Sequence, residues 1–144
     1  MKLHAILSVF TLYLAGSCSS IGGTTKAGVE KSVENGNWRI SLFMDSGDDK
    51  TAEYASYRFT FHSDQSLIAK EGSSSITGFW SVSDQNPGDD SIHDLTFHIV
   101  FSSSSALESL SEDWAIITKS KKRIELSHVS GGNGGSDFLT LEKI

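Results

Sequence analysis

The chain has 144 residues, with 12 lysines and arginines against 18 aspartates and glutamates, for a net charge of −6. Such an acidic balance argues against nucleic acid as a partner, because affinity for a phosphate backbone comes mainly from Lys and Arg. A single cysteine, Cys18, excludes an intrachain disulfide and any site built from several thiolates.

In chain order, residues 1–17 come first. Met1 and Lys2 make a short positive start, Ala5 to Ala15 is a run of eleven uncharged residues, and the small residues Gly16 and Ser17 precede Cys18. That layout predicts a secretory signal peptide. The apolar run is too short to span a bilayer, which needs about 20 residues. The pentapeptide "LAGSC" resembles the lipobox of bacterial lipoproteins, although its leucine, Leu14, stands four positions before the cysteine where the common pattern has three. The resemblance implies that Cys18 becomes the mature N-terminus and carries lipid. The plain alternative is cleavage near Ser17 that leaves a free thiol. Each buried CH₂ of an acyl chain contributes ~0.8 kcal/mol, so a multiply acylated terminus holds firmly to a membrane.

Residues 18–36 are small and polar and read as a lipidated terminus followed by a flexible tether. Removing residues 1–17 takes away Lys2 and no acid, which leaves a charge of −7. The one basic cluster, "KSKKR" (Lys119 to Arg123), reads as a solvated turn.

Residues 37–144 form one domain with a dominant period of two. "WRISLFM" puts Trp38, Ile40, Leu42 and Met44 on one face, and "YASYRFTFH" does the same with Tyr57, Phe59 and Phe61. "ITGFWSVS" offers Ile76, Trp80 and Val82, and "DLTFHIVFS" sets Leu95, Phe97, Ile99 and Phe101 against Thr96, His98 and Val100. Such alternation marks half-buried antiparallel strands. "SLIAKEG", "WAIITK", "RIELSH" and "FLTLEK" bring the set to eight. The expected fold is all-β, an eight-stranded antiparallel up-and-down barrel with one short helix before strand six. That helix is placed in "SALESLSED", where Ser105 and Glu108 have capping-box spacing and Leu107 and Leu110 share a face able to close over the core.

"GNWRISLF", the Phe59-x-Phe61-x-x-Asp64 run, "GFWSV" and the late "W-x-I…I-E-L" together resemble lipocalin-like domains, more narrowly those of small lipoproteins of the Bacteroidota type. The likeness spans most of residues 36–144, each motif is short, and the longer second and third lipocalin motifs are not clearly present. Gly36-x-Trp38 is similar to the lipocalin Gly-x-Trp, whose tryptophan plugs one barrel end. By the same resemblance Arg123, which opens strand seven at that end, stacks on Trp38; a solvent-facing arginine is the alternative.

In such a barrel the loops after strands one, three, five and seven gather at one mouth: "DSGDDKT", "EGSSS", "SSSSALESLSED" and "SGGNGGSD". An eight-stranded barrel either fills with its own side chains or holds one small ligand. Candidate ligand-lining residues are Phe59, Trp80, Phe97 and Trp114, with Gly78 and Ala69 leaving a little space. Two functions follow. One is binding of a small apolar molecule or lipid at the loop-rich mouth. The other is a filled barrel that contacts an envelope protein or a glycan through exposed residues such as Leu107 and Leu110. Either places the chain in the cell envelope, held to a membrane by its N-terminal lipid.

Other chemistry finds little support. Asp45, Asp48 and Asp49, and separately Asp84, Asn86, Asp89 and Asp90, have no EF-hand spacing and read as solvated turns, so no metal is expected. There is no G-x-S-x-G and no H-E-x-x-H, and "GGNGG" (Gly131 to Gly135) lacks the lysine of a phosphate loop. The histidines are spread over separate strands. No catalytic residues and no cofactor are assigned.

Overall fold

The computed structural model describes residues 25–131 and 135–144; the signal segment, Cys18 and the centre of the glycine-rich connection lie outside it. The chain forms α1 (Lys26–Val33) and then β1 (Asn37–Asp45), β2 (Asp48–Asp49), β3 (Arg58–Phe61), β4 (Ser66–Glu71) and β5 (Ser74–Asp84). It continues with β6 (Leu95–Val100), β7 (Asp113–Lys119), β8 (Arg123–Val129) and β9 (Ser136–Lys143). β1 pairs antiparallel with β3, each strand from β3 to β9 pairs antiparallel with the next, and β1 closes the sheet on β9 from Trp38↔Lys143 to Met44↔Phe138. The result is a closed eight-stranded barrel, with β2 a two-residue ribbon folded back on β1. Closure leaves no sheet edge among the eight strands to template pairing with another chain.

The period-two faces turn inward as expected on β3, β5 and β6, where Phe59, Phe61, Trp80, Val82, Phe97 and Ile99 are all buried. Strand β1 departs from the pattern. A register shift between Ile40 and Leu42 inserts one residue against β9, so the alternation inverts and Phe43 enters the core. A bulge does this because one unpaired residue advances the strand by half a pleat. Leu42 and Met44, expected inside with Trp38 and Ile40, are therefore only partly buried.

The tether expected over residues 18–36 is corrected in its second half. Lys26–Val33 is an α-helix, started by Thr25, whose hydroxyl accepts from the Gly28 N–H at 3.2 Å. Val29 and Val33, four residues apart and so on one helix face, are fully buried against the barrel. An isolated helix of this length is unstable in water, so it forms because the barrel end receives it. Before the seventh strand of the chain the expected helical turn is present as a short 3₁₀ segment, Glu108–Leu110. Its N-cap is Leu107, without a side-chain cap, so the Ser105–Glu108 capping box does not form.

Candidate functional site

The four candidate lining residues converge on the lumen and pack against aromatic neighbours. Phe61, Trp80 and Phe97 form a triangle with ring centroids 5.4 to 5.7 Å apart, Trp80 stacked on Phe97 and Phe61 edge-on to both. Toward the loop-rich mouth a second chain of rings runs Trp114–Phe43–Tyr54–Tyr57–Phe59, with centroids 5.3 to 6.3 Å apart. These are favoured edge-to-face and offset separations, worth about 0.5–1.5 kcal/mol per pair beyond burial. The space expected beside Gly78 is filled by the Phe101 ring: a Cβ on Gly78 would lie 2.6 Å from Phe101 Cδ1. Ala69 is likewise fully buried.

Every indole N–H is satisfied by a main-chain carbonyl. Trp38 Nε1 donates to Val33 O at 2.9 Å, Trp80 Nε1 to His62 O at 3.0 Å and Trp114 Nε1 to Leu110 O at 3.1 Å. Among the described residues no buried side-chain nitrogen or oxygen lacks a partner, and no pocket is found. Among the described residues the lumen is filled by its own side chains, and its buried polar side-chain atoms are already bonded.

Both barrel ends are covered. At the first end Trp38 holds the C-terminus of α1 through Val33, while Lys119 Nζ reaches Gly28 O at 3.0 Å and Lys143 Nζ reaches Ser32 O at 3.3 Å. Lys143 there meets the negative end of the helix and one of its unpaired carbonyls, while Lys119 bonds a carbonyl of the first turn. Burial, with Lys143 nearby, pushes the Lys119 ammonium below the ordinary lysine range. Gly36 makes the turn from α1 into β1 at φ +104°, a conformation L side chains rarely adopt. At the other end Tyr54, Leu107 and Leu110 seal the mouth, with Tyr54 Oη donating to Ala106 O at 3.3 Å. Leu107 and Leu110 are thus buried, which corrects the expectation that they form an exposed docking flap.

Arg123 does not stack on Trp38. The cation over that indole is Lys143, with Nζ 5.1 Å from the ring centroid. Arg123 faces outward and pairs with Glu125 and Glu142, each at 2.8 Å, while Arg39 adds a second contact to Glu142 at 3.0 Å. Strand β8 alternates, so Ile124 takes the inward place and its neighbour Arg123 cannot. The Arg39 hydrogen bond, with Arg123 beside it, holds the Glu142 carboxyl below the usual range. Lys50 does the same for Asp45 through a 2.7 Å pair.

Because both folded carboxyls titrate lower than in the unfolded chain, their stabilisation is present above about pH 4–5 and is lost as pH falls through the folded values. The expected result is a melting temperature that drops on acidification from about pH 5 to about pH 3, and drops less in Glu142→Gln. Melting curves of the two proteins across that range check this. Equal slopes would mean that the Arg39–Glu142–Arg123 group does not act on stability.

The acidic turns close themselves. Asp49 caps the Thr51 N–H, Asp84 the Asn86 N–H and Asp89 the Ser91 N–H, all at 2.9 Å. Asp137, nearly buried, accepts from Ser46 N and Ser130 Oγ at 2.7 Å and ties two mouth loops together.

One grouping was not visible from strand periodicity. On the outer wall, β5, β6 and β7 bring Ser83, His98 and Asp113 into a hydrogen-bonded row. The alternation signalled that His98 points outward, but only the strand register supplies its neighbours. Compared with known proteins, the chain matches no family model and no curated protein.

Proposed function

We propose that the protein is an exported, lipid-anchored component of a bacterial cell envelope, whose lipocalin-like barrel acts as a filled interaction module and not as a carrier. The observation that supports this best is the lumen, packed ring against ring with all three indole N–H groups already bonded. A carrier for an apolar molecule would have to part Phe59, Trp80, Phe97 and Trp114 before anything could enter. Six residues separate Cys18 from Thr25, the N-cap of α1. At no more than ~3.6 Å per residue, that stretch holds the α1 end within about 25 Å of the lipid. The mouth then faces away from the membrane and offers exposed acids such as Asp48, Asp49, Glu53 and Glu108 to a partner protein with a basic surface.

The test is mass spectrometry of organic extracts from residues 19–144, purified after export into a bacterial periplasm. A clean extract is expected, together with no saturable binding of an environment-sensitive apolar dye. One apolar compound at near-stoichiometric yield, with dye binding abolished by Trp114→Ala, would overturn the filled-module reading in favour of a carrier.

A further inference from the structure

We propose that Ser83, His98 and Asp113 form an acyl-transfer site on the outer wall of the barrel, with an acyl ester as substrate. Ser83 Oγ lies 2.8 Å from His98 Nε2, and His98 Nδ1 lies 2.6 Å from Asp113 Oδ1. A carboxylate only accepts hydrogen bonds, so Nδ1 carries a proton toward Asp113, and in the tautomer with that single ring proton Nε2 is the acceptor of the Ser83 proton. Each atom is thus in the role that base-assisted nucleophilic attack requires: a hydroxyl, a base within hydrogen-bond reach, and a third group orienting the base. Position on the sheet enforces it. Register pairs Ser83 with Thr96, Ser81 with His98, and His98 with Asp113 across three adjacent strands. Residues at i and i+2 share a face, so these side chains stand on one wall.

The same wall supplies the substrate class. Phe79, two steps of the pleat from Ser83, pairs with Val100, two residues from His98. Both are solvent-exposed, at 60% and 46%. One pleat repeat advances about 7 Å, so the apolar pair stands roughly 13 Å along the strand from the nucleophile. That suits an acyl chain of medium length better than an acetyl group. The hydroxyls of Ser81 and Thr96 flank His98 and Ser83 on this face and are the donors available to a developing oxyanion. In the reaction Ser83 Oγ forms a bond to the ester carbonyl carbon as Nε2 takes its proton. The tetrahedral adduct then expels the alcohol, which leaves with that proton. Water, deprotonated by His98, releases the acid and restores Ser83.

The experiment uses the purified full chain with p-nitrophenyl octanoate and p-nitrophenyl acetate, and mass spectrometry of acid-quenched samples. The expected result is hydrolysis of octanoate about 10²-fold or more above Ser83→Ala and His98→Gln, with an octanoyl group on the peptide that contains Ser83. Phe79→Ser is expected to raise KM for octanoate by a larger factor than KM for acetate, and equal factors would overturn the role of the apolar pair. Near-ultraviolet circular dichroism of each variant checks that the outer-wall changes leave the core intact. Hydrolysis of neither ester, equal rates in Ser83→Ala and the parent, or no acyl group on Ser83 would overturn the assignment and leave a hydrogen-bonded row on a sheet face.

Discussion

Replacing Trp38 with alanine is expected to lower the stability of the fold by about 3–5 kcal/mol, the range for removing a large aromatic from a packed core. Trp38 is fully buried, donates to Val33 O at 2.9 Å and lies under the Lys143 ammonium. Its loss removes volume, strands a helix-terminal carbonyl and leaves Lys143 without its ring, all at the end where α1 docks. A small domain has a total stability of about 5–15 kcal/mol, so a large share goes at once. Trp38→Phe separates the parts: it keeps most of the ring but not the N–H, and is expected to cost about 0.5–1.5 kcal/mol plus a small packing loss. Urea unfolding of the three proteins measures this, with hydrogen exchange over residues 26–33 as a local probe. If Trp38→Ala cost under about 1 kcal/mol, α1 would not be seated on the barrel as described.

Gly78→Ala is the second large effect, in the opposite sense of volume. An added Cβ would fall 2.5 Å from Val100 O and 2.6 Å from Phe101 Cδ1. The first is a main-chain atom of the neighbouring strand, so β5 and β6 must move apart or the Phe101 ring must leave its place. Overpacking of this kind costs about 1–3 kcal/mol, and the rigid carbonyl puts this site at the upper end. Gly72→Ala is the comparison. Gly72 turns at φ +56° with nothing within 4 Å of a built Cβ, so only backbone strain of about 1–2 kcal/mol is expected. Thermal or urea unfolding of the pair decides it. Equal costs would show that the contact of Gly78 with Val100 and Phe101 is looser than the geometry states.

The same glycine shows how far inspection of the sequence reaches. Alternation places residue 78 inward, where a missing side chain implies space. Whether that space is empty depends on Phe101, twenty-three positions later, and on the register that lays its ring there. The helix α1 escaped for a related reason. "KAGVEKSV" has only two buried anchors, Val29 and Val33, and at eight residues is too short to hold a helix alone. What stabilises it is carbonyl pairing with Trp38, Lys119 and Lys143, which are remote in sequence.

Determined by the sequence itself were the strands, their order and most inward faces, because a half-buried strand must write its burial into every second residue and short connections force neighbours to pair. The tertiary structure alone decided three things: the inversion of β1 at its bulge, the filling and capping of the lumen, and the meeting of Ser83, His98 and Asp113. Each depends on register between strands, which one residue of slip reverses and which no local run of amino acids encodes.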